Sequence, residues 1–179
     1  MSKTKFFIVF GLSLLISACQ TPAEPQSVEV VQTIEVKTKP EVKHPLGIIG
    51  ATEPIYILPD TSPFQARIDT GAEVSSIDVD EYHIFERDGV KWVSFKIKHN
   101  TTGKMQVFEK KRHRRVSIRR AGKNESRPSV LLDAKFGGKI IKAEFTLAQR
   151  EKFDYQVLVG RNILTGRAIV DTSLANTLR

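Results

Sequence analysis

The 179-residue chain holds a single cysteine, a single tryptophan and two methionines. One thiol excludes a disulfide framework and any multi-cysteine metal centre within the chain. The four histidines, His44, His83, His99 and His113, are scattered and include no i, i+4 pair of the kind that binds zinc from a helix. A glycine-rich phosphate loop closing on Lys-Ser or Lys-Thr is also missing. Zinc and ATP are therefore unsupported, and no metal or other cofactor is expected. His83 and His113 read as surface or loop residues. An apolar content of 40% excludes a wholly disordered chain, and the length suits one domain with a sizeable core plus a tail.

The charge is unevenly placed. With 28 Lys+Arg against 20 Asp+Glu the formal net charge is +8, which on its own invites a nucleic-acid reading. Residues 1–18 contribute +2 through Lys3 and Lys5, and residues 104–123 contribute +8 through nine basic residues against Glu109. The remainder is then 8 − 2 − 8 = −2. The protein carries one basic segment and is not basic throughout.

Lys3 and Lys5 precede an apolar run, residues 6–16, that is too short to span a bilayer comfortably. Small residues Ser17 and Ala18 lead into Cys19. This order suits a signal peptide cut before Cys19, whose thiol would then take a lipid. The string Ile16-Ser17-Ala18-Cys19 resembles a bacterial lipobox, and Gln20, rather than Asp, by resemblance favours the outer membrane. The expected location is the bacterial cell envelope, lipid-anchored and facing the periplasm, which argues against nucleic acid as a partner. Residues 19–44 contain Pro22, Pro25 and Pro40 among polar residues and read as a semi-extended tether. Residues 45–179 form the expected domain.

That domain reads as all-β. Residues 53–58 and 64–69 are short apolar runs bounded by prolines. Residues 92–98 alternate, placing Val93, Phe95 and Ile97 on one face, and Asp88-Gly89 before them signals a hairpin. A second hairpin is expected over residues 130–147, turning at Gly137-Gly138, with Ile141, Ala143, Phe145 and Leu147 sharing a face. Residues 156–159 and 168–171 are further strand candidates. Only residues 162–165, and a stretch at 148–153, look helical. Many short strands at this spacing mean a closed barrel or a sandwich.

Residues 64–68 run straight into Asp69-Thr70-Gly71-Ala72, followed by Ser75-Ser76-Ile77. An Asp at a strand end, in a turn that Gly71 makes possible, projects a carboxylate that is not solvated on all sides. Asp-Thr-Gly is also an ordinary turn, so it carries little weight alone. Farther along comes Val159-Gly160-Arg161-Asn162-Ile163-Leu164, with the Gly-Gly hairpin between. This set, in this order, resembles the retropepsin-like aspartic peptidases. More closely, Asp69-Thr70-Gly71-Ala72, Phe85-Glu86-Arg87-Asp88-Gly89 with Trp92-Val93, Arg127-Pro128 and Gly160-Arg161 resemble a bacterial branch once labelled ATP-dependent zinc proteases. The resemblance covers about residues 48–178. In that branch a basic residue usually follows the Asp-Thr-Gly-Ala, whereas Glu73 stands here, which bears on substrate preference.

The resemblance implies a catalytic Asp69, an active-site loop of Thr70, Gly71 and Ala72, and structural support from Gly160, Arg161 and Asn162. Aspartic proteolysis needs two carboxylates sharing a proton. One Asp-Thr-Gly is present, and Asp171-Thr172-Ser173 lacks the glycine and reads as structural, so the pair must come from a homodimer with Asp69 near its two-fold axis. A closing flap is expected at about residues 108–127, with Gly122 near its tip and Arg114, Arg115, Arg119 and Arg120 as substrate-facing candidates. Two functions remain open: an envelope-anchored aspartic endopeptidase acting on peptides or proteins, or a catalytically weak protein of this fold that binds an anionic envelope partner through its basic segment.

Overall fold

The computed structural model describes residues 43–120, 123–149 and 154–178, with backbone alone at Arg119, Arg120 and Lys123. The expected signal peptide, Cys19, most of the expected tether and Gly122 lie outside the described residues. Eleven strands and one short helix follow in order. They are β1 (Ile48–Ile49), β2 (Thr52–Ile57), β3 (Phe64–Ile68), β4 (Ser75–Asp78), β5 (Glu81–Arg87), β6 (Val90–Lys98), β7 (Met105–Arg120), β8 (Lys123–Phe136), β9 (Lys139–Ala148), β10 (Val157–Val159), α1 (Arg161–Leu164) and β11 (Ile169–Val170).

Period-two patterning puts the core on one side of each strand. In β3, Phe64, Ala66 and Ile68 are buried while Gln65 and Arg67 face out. In β6, Val93, Phe95 and Ile97 are buried, and in β9, Ala143, Phe145 and Leu147 are. These meet Ile55 and Ile57 of β2, Ile77 of β4, Leu132 and Phe136 of β8 and Ile163 of α1 in one cluster. Each large side chain removed from water there stabilises the fold by about 1.5–3 kcal/mol before entropy is set against it. The hairpin turns are those that the sequence signals. Asp88 and Gly89 both have positive φ (52° and 71°) between β5 and β6, as do Gly137 and Gly138 (55° and 74°) between β8 and β9, so the turn twists with the strands.

The strands hydrogen-bond in the order β2-β3-β10-β4-β9-β8-β7-β6-β5, and β8 also pairs with β2. Pairing therefore returns to its starting strand through β2, β3, β10, β4, β9 and β8. One edge of β8 is divided between two partners. Its first half, through Val130, pairs with residues 112–120 of β7, and Ala134, Lys135 and Phe136 pair with Ile57, Tyr56 and Ile55 of β2. The basic run is therefore the middle of a long strand. The register of β7 slips between Arg112 and Arg114, so exposed His113 is the extra residue of a bulge.

Other differences from the sequence reading are local. The helix is Arg161–Leu164, a single turn, and Ala148 closes strand β9 while residues 150–153 lie outside the described set. Strand β4 is an added element. It inserts Ser75–Asp78 between β10 and β9, antiparallel to the first and parallel to the second. The chain's end folds back as a strap: Ala51 N–H donates to Leu174 O (2.7 Å) and Asn176 N–H to Thr52 O (2.8 Å). Buried Glu53 fastens it, accepting from Gly50 N, Thr177 N, Thr177 Oγ1 and Leu178 N at 2.6–3.1 Å. Burial alone pushes the Glu53 carboxyl up, and these four donors together hold it below the ordinary glutamate range.

Candidate active site

Strand β3 ends at Ile68, and the next residue is Asp69. Its N–H donates to Val159 O on the parallel neighbour β10 (2.9 Å), so two strand ends fix the height of the loop. Asp69 Oδ1 accepts from Gly71 N (3.0 Å) and Ala72 N (3.1 Å). The turn is thus closed by the carboxylate of its first residue. Oδ2 has no hydrogen-bond partner among the described residues, and Asp69 is half-buried. A carboxylate with one oxygen tied and one open can hold or give a proton without losing its orientation.

The segment Gly160-Arg161-Asn162 grips this loop from behind. Arg161 N–H donates to Ala72 O (2.9 Å) and Asn162 N–H to Glu73 O (3.0 Å). The Arg161 guanidinium reaches forward, its Nη1 donating to Thr70 O (3.0 Å) and Gly71 O (2.7 Å). Gly160 N–H donates to Ser75 Oγ (3.0 Å), and that hydroxyl donates to Asn162 Oδ1 (2.8 Å), which also accepts from Ser75 N (2.9 Å). Asn162 Nδ2 then donates to Glu144 O on β9 (2.8 Å). Only glycine fits at 160, because a Cβ there would lie 2.9 Å from Val74 C and 3.0 Å from Ala72 O. Thr70 contributes its carbonyl to this grip and is exposed.

Asp69 borders a cavity of about 480 Å³. The floor is a row of side chains on one face of neighbouring strands: Leu158 of β10, Ser76 of β4 and Thr146 of β9. The wall is residues 114–118 of β7 with Arg127 of β8. Residues 108–127, expected as the flap, fall in the β7–β8 hairpin, and Arg114 and Arg115 border the same cavity as Asp69. Arg114 does not point an open charge at it. Its Nε and Nη2 donate to the two oxygens of Glu144 (2.8 and 3.0 Å). Burial tends to raise the Glu144 carboxyl, and bonding to Arg114 and Ser129 with the charges of Arg114 and His113 outweighs this, leaving it below the ordinary range. Arg127 is likewise paired, donating from Nε and Nη2 to Glu125 (2.6 Å each). The Arg114–Glu144 pair was not legible, because it joins different strands, and the Arg127–Glu125 pair needed residues 123–136 to be read as one strand.

The other candidates lie elsewhere. Asp171 Oδ1 accepts from Ser173 N (2.9 Å) and Ser173 Oγ (2.6 Å), so this carboxylate closes its own turn. His99 is buried against Phe64, with Nδ1 accepting from Thr101 N and Thr102 N and Nε2 facing Pro63 O. Its ring nitrogens are committed to the fold, and His83 and His113 are exposed. Among the described residues no three His, Cys, Asp or Glu side chains gather as a cation site.

Residues 48–178 match the family model described as RimB-like, the retropepsin-like aspartic endopeptidase RimB. The chain belongs to this RimB-like family. Among curated proteins it is similar to two named probable alpha-L-glutamate ligase, from Desulfotalea psychrophila (31% identical over 113 residues, 62% of this chain) and Shewanella pealeana (32% over 113 residues, 61% of this chain). The chain spans about a quarter of the length of these relatives, 24% in each case. Among solved structures it is similar to a Legionella pneumophila protein of unknown function, with TM-score 0.65 and 28% identity over 74% of this chain and 98% of that one. The RimB-like match thus spans every element from β1 to the C-terminal strap.

Proposed function

We propose that the protein is an envelope-anchored aspartic endopeptidase whose acid–base pair forms from Asp69 of two copies of the chain. The observation that carries this reading is Asp69 itself: Oδ1 locked by its own loop, Oδ2 open, beside a cavity of about 480 Å³. Membership of the RimB-like family supports it. In such a dyad two carboxylates that close cannot both ionise easily, so one proton is shared. The ionised one takes a proton from water as the water oxygen bonds to the peptide carbonyl carbon. The protonated one gives its proton to the carbonyl oxygen. Collapse of the tetrahedral intermediate breaks the C–N bond, the amine leaves with a proton, and the dyad again holds one.

Closure by the β7–β8 hairpin would exclude water and hold the peptide. The anchor is the lipid expected on Cys19. The relatives' names make glutamate-bearing peptides the first substrates to try, and exposed Arg115 at the cavity suits them. The test is cleavage of a peptide library by wild type and Asp69→Asn from acidic to neutral pH. Loss of cleavage in the variant is expected, and equal cleavage by both proteins would sink the proposal. Sedimentation that shows only monomer with activity intact would remove the shared dyad.

A second reading has its own support. Lys110, Lys111, Arg112, His113 and Lys142 surround a separate concavity with Asp133. A basic surface away from Asp69 fits a catalytically weak protein that binds an anionic envelope partner. Binding to anionic vesicles that survives Asp69→Asn but is lost on neutralising Lys110 and Arg112, with no peptide cleaved by wild type, would favour it.

A further inference from the structure

Arg127 sits on the return strand of the hairpin, across the ladder from Val116, and is 3% exposed. Two of its three guanidinium nitrogens are bonded to Glu125. The third, Nη1, is buried with no hydrogen-bond partner among the described residues. Arg127 is also one of the residues that line the cavity beside Asp69. A buried donor left unmade costs about 1–3 kcal/mol, and such groups in folded proteins call for an explanation. The Arg161 guanidinium, by contrast, is turned to the loop's carbonyls through its Nη1.

We propose that Arg127 is a substrate-binding residue whose Nη1 donates to a main-chain carbonyl of a peptide lying in the cavity. This rests on the peptidase reading and goes beyond it by naming the group that holds the substrate backbone. The chemistry of the pair favours a neutral acceptor. Glu125 already balances the Arg127 charge through a two-pronged ion pair. What Nη1 needs is an acceptor, and a neutral carbonyl supplies one without bringing a second carboxylate up to the Arg127–Glu125 pair. An extended peptide presents a carbonyl about every 3.3 Å along its length. Recognition of this kind is indifferent to side chains, so any preference for acidic residues falls to other groups such as Arg115.

The experiment uses full-length protein in detergent. An octapeptide is chosen from the library by tightest binding to Asp69→Asn, and each amide near its centre is replaced in turn by an (E)-alkene isostere. Binding of this series is measured to Asp69→Asn alone and combined with Arg127→Met. One replacement is expected to weaken binding about tenfold in Asp69→Asn and to have no effect when Arg127 is changed. With active enzyme, Arg127→Lys is expected to raise KM about tenfold while kcat stays within threefold, the mark of uniform binding. Equal isostere penalties with and without Arg127 overturn the proposal. So does a Glu-over-Gln preference that disappears with Arg127, which would assign Nη1 to a side-chain carboxylate. If Asp69→Asn binds no peptide, this proposal falls. If it binds and wild type cleaves nothing, only the peptidase reading falls. Unfolding midpoints close to the parent's show that the variants are folded.

Discussion

Replacing Asn162 by Ala removes three hydrogen bonds at once. Two of them serve Ser75, which is fully buried, so its N–H and its hydroxyl hydrogen are left without acceptors. The third ties Asn162 Nδ2 to Glu144 O. Each stranded donor costs about 1–3 kcal/mol, and bonds within one network do not sum fully. The expected loss is about 2–4 kcal/mol. For a domain of this size about 4 °C of melting temperature goes with each kcal/mol, so Asn162→Ala should melt about 8–16 °C lower by calorimetry. Asn162→Asp keeps both Ser75 bonds and turns an oxygen toward Glu144 O, and it should fall between the two. Ser75→Ala breaks the relay from Gly160 N through the Ser75 hydroxyl to Asn162. The double variant should therefore lose clearly less than the sum of the two single losses. A change for Asn162→Ala within about 0.5 kcal/mol of wild type, or strict additivity with Ser75→Ala, would refute the coupling of this network to the Asp69 loop.

Three further outcomes follow from the geometry. Glu53 has its carboxyl pKa lowered in the fold, so its contribution is present at neutral pH and is lost as pH falls through the folded value, below about pH 4.5. Glu53→Gln should lower urea stability at pH 7 and flatten its decline with acid, and identical pH slopes in both proteins would show that the strap is held otherwise. Gly160→Ala keeps an ordinary backbone (φ −94°) but forces a Cβ against Val74, Ala72 and Ser75. It should lose about 1–3 kcal/mol by overpacking and most cleavage activity, and an unchanged urea midpoint would deny the close approach. Glu144→Gln releases Arg114 at the base of the hairpin. Steady-state kinetics should show KM rising severalfold, with the size of the effect shrinking in high salt.

How much of this was legible in the sequence depends on what each element used as its signal. The β5–β6 and β8–β9 hairpins were readable from Asp88-Gly89 and Gly137-Gly138, because left-handed turns admit few residues. Strands β6 and β9 were readable from alternation, and β3 from a short apolar run bounded by proline. Strand β7 was not, since Lys110 to Arg115 puts charge on both faces and leaves no period to count. Strand β4 begins with Ser75-Ser76, whose hydroxyls serve the grip and the floor and not β propensity. The roles expected of Asp69 and of Gly160-Arg161-Asn162 were implied by the resemblance that their motifs carry. Which atoms they use came only from the parallel pairing of β3 with β10, a contact between residues about ninety positions apart in sequence. Glu53 looked like one polar residue in a strand, because its partners sit at residues 177 and 178.

The divided edge of β8 also bears on how the chain can be cut. Paring the hairpin back toward Arg112 looks like trimming a surface loop. Where the cut takes β7 alone, it would instead strip the partner from residues 123–130, of which only Ser129 and Val130 keep a neighbour in β9, and leave that backbone bare, while Ala134–Phe136 stayed paired to β2. Bare margins recruit strands from other molecules. A shortened protein should therefore fail first by sticking to itself, with its far half still folded, and deletions here measure solubility before they measure catalysis.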